Sequence, residues 1–142
     1  MSSTAVVTDE YRKRVAKVFW DGEDSTGIDL VHQQALEDLL FFKISPDAAT
    51  ERIVSSTNGQ TEEVISQLVY TLFCYVIDAA STLPEAQNVL VQLIRNLKNS
   101  PDAVNDKGEP AGKGLRLWKD LPSFRMQMRE MWNCKSDRVW NM

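Results

Sequence analysis

The chain has 142 residues, of which 43% are hydrophobic and 25% are charged. This length suits one domain, and this balance excludes a wholly disordered, collagen-like or low-complexity protein. A net charge of −4 argues against a protein that grips nucleic acid over its whole surface, because such domains are strongly basic. One histidine, two cysteines and six glycines leave little material for metal, redox or phosphate chemistry. We therefore predict no cofactor, and the composition points to no particular activity.

The first half of the chain predicts three helices. Apolar residues recur at helical spacing from about residue 9 to 20, and a polar loop follows over 21–27. Thr26 and Asp29 resemble a capping box, which predicts a second helix over 28–43. Ser45 and Pro46 then begin a short third helix, because proline is well tolerated in a first helical turn.

The second half predicts a central helix and an amphipathic partner. Thr61 caps a helix over 61–81 that is apolar on nearly every face, which is typical of a helix in the centre of its protein. Pro84 begins the next helix, which extends to residue 98 with an i, i+3, i+4, i+7 apolar pattern. Residues 99–114 form a long loop rich in Gly, Pro, Asp and Asn. A final helix follows, with an apolar face made by Phe124, Met128, Met131 and Trp132.

These elements predict an all-α fold. We expect one domain over residues 1–142, a compact bundle of five or six helices around the helix at 61–81. The ends of the chain, 1–7 and 134–142, are expected to fray.

The cellular compartment is predicted from three features of the sequence. Residues 1–8 lack the basic start and apolar run of a secretory signal. The only long apolar run, 64–83, contains Asp78 and is interpreted as a buried helix rather than a membrane span. Cys74 and Cys134 are interpreted as free thiols. We therefore expect a cytoplasmic protein without a membrane partner, with the nucleus as the alternative compartment.

Two motifs resemble ion-binding loops but lack required residues. Residues 21–32 resemble a calcium loop, but Thr26 replaces the glycine at position six and His32 replaces the glutamate at position twelve. Residues 108–114 resemble a phosphate loop, but the spacing is one residue short and Gly114 replaces the magnesium-binding hydroxyl. His32, the single histidine, has no evident triad or metal partners, and we expect it to be solvated or to cap its helix.

Charge is distributed unevenly along the chain. Residues 1–100 have a net charge of −6 and residues 101–142 have a net charge of +2. Basic and aromatic residues alternate in this last part, a combination enriched at binding hot spots and also suited to single-stranded nucleic acid. The candidate binding residues are Arg116, Trp118, Arg125, Arg129 and Trp132. The interpretation that we favour for these residues is that Trp118, Phe124 and Trp132 belong to the core, while the basic face pairs with an acidic neighbour in the same chain.

A short motif carries a family resemblance. Residues 114–122 read GLRLWKDLP, and residues 128–133 read MREMWN. Together they resemble a large fungal family of uncharacterised proteins that share an LW-x-DLP…RE-x-WN signature, and the resemblance covers about residues 61–133. It implies an intracellular helical protein, and it supplies no activity or catalytic residues. Members of this family are generally longer at the C-terminus, so this chain would be a short or truncated member.

Three functions remain open from the sequence. The leading prediction is a non-enzymatic protein–protein interaction module that uses the basic-aromatic residues and the adjacent loop, with a protein partner or a second copy of the chain. The second is a small-ligand protein or enzyme with a pocket between helices, near Trp118, Trp132 and Tyr75. The third, weaker prediction is nucleic-acid binding through the C-terminal residues.

Overall fold

The predicted all-α bundle is confirmed. The computed structural model of the protein describes residues 7–19, 28–112 and 116–120. Within these ranges the chain forms six α-helices and one 3₁₀ turn, Pro84–Ala86, which precedes α5. The helices are Asp9–Phe19 (α1), Leu30–Leu40 (α2), Pro46–Thr57 (α3), Glu62–Thr82 (α4), Gln87–Lys98 (α5) and Leu117–Asp120 (α6).

Side-chain caps set the starts of four helices, and at α1 the Thr8 hydroxyl accepts from the Tyr11 backbone N–H at 3.0 Å. The Ser45 hydroxyl accepts a hydrogen bond from the Ala48 backbone N–H at 3.1 Å, and Thr61 caps α4 in the same way. Each cap satisfies a backbone donor that has no partner within the first turn. Helix α2 begins two residues later than predicted, because the Asp29 carboxylate accepts from the N–H groups of Val31 and His32. Thr26, the predicted cap, lies outside the described residues.

Helix α2 also ends earlier than predicted, at Leu40 rather than at residue 43. Phe42 has a φ of 60°, a left-handed conformation that is rare for a large side chain. Its ring stacks on Tyr11 of α1, with centroids 6.1 Å apart, and the Tyr11 hydroxyl donates to the Leu40 carbonyl at 2.7 Å. These contacts with Tyr11 hold the turn, although Tyr11 lies about 30 positions earlier in the sequence.

The core lies where α4 meets the other helices. Helix α3 packs between α2 and α5, and α4 contacts α1, α3, α5 and α6. Phe19 of α1 stacks on Tyr75 of α4 with ring centroids 5.9 Å apart. Fully buried side chains from every helix complete this core, including those of Leu36, Ile53, Leu72, Leu90 and Trp118.

The prediction that α4 is buried on every face is correct only for its second half. From Leu72 to Ala79, all residues but Ile77 are buried. The first half is amphipathic, since Ile65 and Val69 are buried whereas Val64 is 43% exposed. By length and composition α4 could cross a membrane, but half of its most apolar stretch is buried inside the bundle, as in the core helix of a folded domain.

The predicted loop after α5 is partly an ordered turn. Val104 and Pro110 form an isolated bridge, and the Asn105 side chain accepts hydrogen bonds from the backbone of Lys107 and Glu109. The Asn58 side chain, at the end of α3, accepts from the Val104 N–H at 3.0 Å. The turn is therefore fixed to the end of α3. The predicted final helix and the predicted frayed end at 134–142 lie outside the described residues.

Candidate functional site

Two of the five candidate binding residues lie in the described part of the chain. Arg116 is exposed, and its Nε donates to the Asp102 carboxylate at 3.4 Å. The Asp120 carboxylate accepts from the backbone N–H of Arg116 at 3.0 Å, so it closes the short helix α6 on itself. Arg125, Arg129 and Trp132 lie outside the described residues.

Trp118 lies in the core and not on a surface that a partner could reach. Its side chain is fully buried, and its ring packs edge-on against Phe73 of α4 with centroids 6.3 Å apart. Its indole Nε1 has no hydrogen-bond partner among the described residues. Trp118 therefore anchors the start of the C-terminal part of the chain to α4.

Tyr75, named with Trp118 as a pocket residue, also packs in the core. It is 4% exposed and stacks on Phe19. Both aromatic rings are therefore used to join helices. Trp132, the third residue predicted near that pocket, lies outside the described residues.

A different concave surface is present along the first half of α4. It is an open groove of about 430 Å³ between α4 and the turn at residues 111–112, and we call it the α4 groove. Its lining residues are Glu62, Glu63, Ser66, Gln67, Tyr70, Ala111 and Gly112.

One stripe of α4 faces this groove. Glu63, Ser66, Gln67 and Tyr70 recur at i, i+3, i+4 and i+7, which places them on one face of the helix. Burial, and secondarily the neighbouring Cys74, raises the pKa of the Tyr70 hydroxyl, so the ring is neutral in this setting. The groove thus has an acidic end, at Glu62 and Glu63, and a half-buried aromatic end. The spacing of this stripe is visible in the sequence, but the groove was not predictable from it. Its opposite wall is formed by Ala111 and Gly112, which lie more than 40 positions away.

The prediction that His32 is solvated or caps its helix is wrong. His32 is fully buried, and its Nε2 lies 2.8 Å from the Thr57 hydroxyl of α3. Burial lowers the pKa of the ring, and the nearby Asp29 opposes this shift only in part. His32, Ala35, Leu36 and Leu39 share the apolar face of α2, and this spacing is the signal that could have predicted the burial.

A second titratable cluster joins α1 to the turn that follows α4. Arg14 donates to both carboxylate oxygens of Glu85, at 3.0 and 2.5 Å, and this pairing lowers the pKa of Glu85. The neighbouring Tyr11 is buried, which is the main reason that its pKa is raised to about 12. Through these three groups α1 is joined to the end of α2 and to the turn that follows α4.

The described residues contain no group of three or more His, Cys, Asp or Glu side chains that could hold a metal ion. Cys74 is a buried cysteine in the second half of α4. Buried thiols in apolar surroundings are poorly reactive, because the thiolate form is disfavoured there.

Comparison with known proteins relates the second half of the chain to a domain family. Residues 74–142 match a family model described as "Protein of unknown function (DUF3632)". The match spans the second half of α4, α5, the turn that follows, α6 and the rest of the chain. No curated protein and no solved structure matches the chain. Residues 74–142 are thus similar to an uncharacterised domain family.

Proposed function

We propose that this protein is a non-enzymatic interaction module that binds another protein through residues 121–142, which we call the C-terminal segment. Its candidate contact residues are Arg125, Arg129 and Trp132, with Arg116 at the base. We also propose that the protein belongs to the fungal, intracellular family that has the LW-x-DLP…RE-x-WN signature, and that it acts in the cytoplasm or nucleus.

The observation that carries this proposal is the anchoring of Trp118. The buried indole fixes the short helix α6 to α4, directly before the C-terminal segment begins in the sequence. The segment that follows has four basic and two acidic residues, together with Phe124, Trp132 and Trp140. Arg and Trp are the residue types most enriched where binding energy concentrates.

The chemistry of the described residues also favours binding over catalysis. The Arg14–Glu85 pair is used to join helices, and the buried ring of His32 already bonds to Thr57. General acid–base catalysis needs a titratable group that can reach a substrate proton. Among its described lining residues, the α4 groove offers two acidic side chains at one end and neither a histidine nor a lysine.

The test compares partners of the wild-type chain with those of two variants. The first variant is R125E/R129E/W132A, and the matched control is R12E/K13E on the exposed face of α1. Tagged versions of each are isolated from the native host, and bound proteins are quantified by mass spectrometry. Circular dichroism melting checks that each variant is folded. We expect at least one partner to be lost from the first variant and kept by the control.

The identified partner is then purified and its affinity measured directly. A single hot-spot residue contributes about 2 kcal/mol, so the first variant should weaken binding by about 30-fold or more. The same partners and affinities for all three proteins would refute a binding role of the C-terminal segment.

The α4 groove supports a second candidate function, the binding of a small ligand. Its volume of about 430 Å³ lies within the range of about 300–1,000 Å³ that is typical of ligand sites. Native mass spectrometry of the protein purified from its host tests this candidate. A retained small molecule that is lost in the variant Q67W would support it, and a spectrum of the bare chain would count against it.

A further inference from the structure

The first half of α4 presents a surface that the other described helices leave open. Glu63, Ser66 and Gln67 are exposed along the α4 groove. Val64, three residues before Gln67, is 43% exposed and extends this surface with an apolar side chain. The surface therefore combines an acidic end with apolar area, in a helix whose second half is buried.

The C-terminal segment begins beside α4. Helix α6 packs on α4 and α5, and Trp118 contacts Phe73, in the middle of α4. From Phe73 back to Glu62 is 11 residues, about 17 Å along a helix that rises 1.5 Å per residue. The same count of 11 residues forward from Trp118 ends at Arg129. A helical C-terminal segment running back along α4 would bring Arg129 level with the acidic end of the groove.

The pattern of the segment complements the groove in polarity. Four of its apolar residues recur at i, i+4, i+7 and i+8, a spacing that makes one helix face, and they are Phe124, Met128, Met131 and Trp132. Arg125 and Arg129 each follow an apolar position by one residue, so they line one edge of that face. The segment has a net charge of +2, and residues 1–100 have a net charge of −6.

We propose that the C-terminal segment docks along the first half of α4 and covers the α4 groove. Its apolar face packs on Val64 and Tyr70, and its basic edge lies against Glu62 and Glu63. The occupant is the segment of the same chain, joined to the bundle through Trp118. This docking requires no partner protein, so it stands or falls independently of the proposed function.

The test measures where the end of the segment lies in the full chain. A nitroxide spin label is attached at Cys134, since Cys74 is buried and 7% exposed, and mass spectrometry checks that one label is bound. The broadening of backbone amide signals then reports the residues close to the label. We expect broadening to concentrate in residues 62–70 and 111–112. A label at S136C, with Cys134 changed to Ser, repeats the measurement.

Charge reversal tests whether the acidic residues hold the segment. The variant E62K/E63K changes two acids in the first turn of α4, and D9K/E10K makes the same change in the first turn of α1. Both variants disturb a helix start equally, so they are matched. E62K/E63K should lower the docked-to-free ratio by roughly 2- to 30-fold, the effect of two exposed ion pairs, whereas D9K/E10K should leave it unchanged. Adding R125E/R129E to E62K/E63K should restore the broadening.

Three results would overturn the proposal. The first is broadening that is absent from residues 62–70, or spread evenly over the exposed surface. The second is equal broadening in E62K/E63K and D9K/E10K. The third comes from a mixture of two samples, one isotope-labelled but without a nitroxide and the other carrying the nitroxide but no isotope label. Broadening of the isotope-labelled signals in this mixture would show that the segment of a second copy occupies the groove.

Discussion

Lowering the pH from about 7.5 to about 5 should destabilise this protein mainly through one residue, His32. It is the only histidine of the chain, and its ring is fully buried between α2 and α3. Histidine is the only side-chain type whose unshifted pKa lies in this range, and other groups titrate there only when their environment shifts their pKa. The perturbation is therefore a pH titration of the wild-type chain and of the variant His32→Gln.

The hydrogen bonds at Thr57 assign the proton of the ring. The Thr57 hydroxyl donates to the Ile53 carbonyl at 2.7 Å, so its oxygen is left to accept from the His32 Nε2–H at 2.8 Å. The neutral ring then has a bare nitrogen at Nδ1. Protonation would add a donor there, and Nδ1 has no partner among the described residues. Burial of the ring is the reason that the pKa of His32 is lowered, and the Asp29 carboxylate and the Ile53 carbonyl oppose this shift only in part.

The sign of the pH effect follows from this lowered pKa. The unfolded chain takes up a proton at its histidine near pH 6.5, and the folded chain does so only at a lower pH. Stability from the neutral ring is thus fully present above pH 6.5 and is lost as the pH falls toward the folded-state pKa. Between the pKa of the unfolded chain and that of the folded chain, the free energy of unfolding falls by up to about 1.4 kcal/mol per pH unit. This is the effect of one proton that only the unfolded chain binds.

Urea denaturation at several pH values measures this slope. We expect the wild-type free energy of unfolding to fall relative to that of His32→Gln as the pH decreases, because carboxylate titrations contribute to both. An NMR titration of the imidazole signals of the wild-type chain gives the folded-state pKa without a variant. Parallel pH profiles, or a folded-state pKa at or above 6.5, would refute the reasoning.

Three further variants test the packing that positions the site. Trp118→Ala should lower the free energy of unfolding by about 3–5 kcal/mol, since it empties a fully buried aromatic position. Tyr11→Phe should lower it by about 1 kcal/mol, because it removes the buried hydrogen bond to the Leu40 carbonyl. Asn58→Ala should lower it by about 1 kcal/mol and increase hydrogen exchange at the Val104 amide, which the Asn58 side chain holds.

Two exposed positions serve as controls for these three variants. Val91→Ala and Ser55→Ala change side chains on the outer faces of α5 and α3. Each should change the free energy of unfolding by no more than about 0.5 kcal/mol. A Trp118→Ala variant as stable as Val91→Ala would contradict the anchoring of the C-terminal segment by that indole.

The helix starts were predictable because their signals are local. Ser45 and Thr61 bond to backbone groups three residues later, so the residues that define each cap are adjacent in the sequence. Helix ends depend more on distant residues. Leu40 ends α2 because Phe42 adopts a left-handed turn against Tyr11, and nothing within α2 indicates that contact.

Burial was harder to predict where a polar group was involved. His32 has the spacing of a core residue, but its hydrogen-bond partner belongs to α3 and is 25 residues away. The second half of α4 was correctly predicted to be buried. Its first half was expected to be buried as well, yet no described helix covers Val64. Composition of a helix therefore predicted its place in the fold but not which of its turns would be covered.

The two proposals together predict a competition for side chains of the C-terminal segment. If the C-terminal segment docks along α4 and also binds a partner with Arg129 and Trp132, the two contacts compete for the same side chains. The measured affinity for the partner is then reduced by the fraction of chains in which the segment is free. E62K/E63K should release the segment and tighten partner binding, by up to the roughly 2- to 30-fold expected for two exposed ion pairs.

R125E/R129E should instead weaken partner binding, although it releases the segment equally well. An affinity that is unchanged in E62K/E63K, together with loss of docking in the spin-label measurement, would show that docking and partner binding use different faces of the segment. Weaker partner binding in E62K/E63K than in D9K/E10K would place the partner on the α4 groove itself. Each outcome therefore assigns the acidic end of α4 either to the chain's own segment or to the partner.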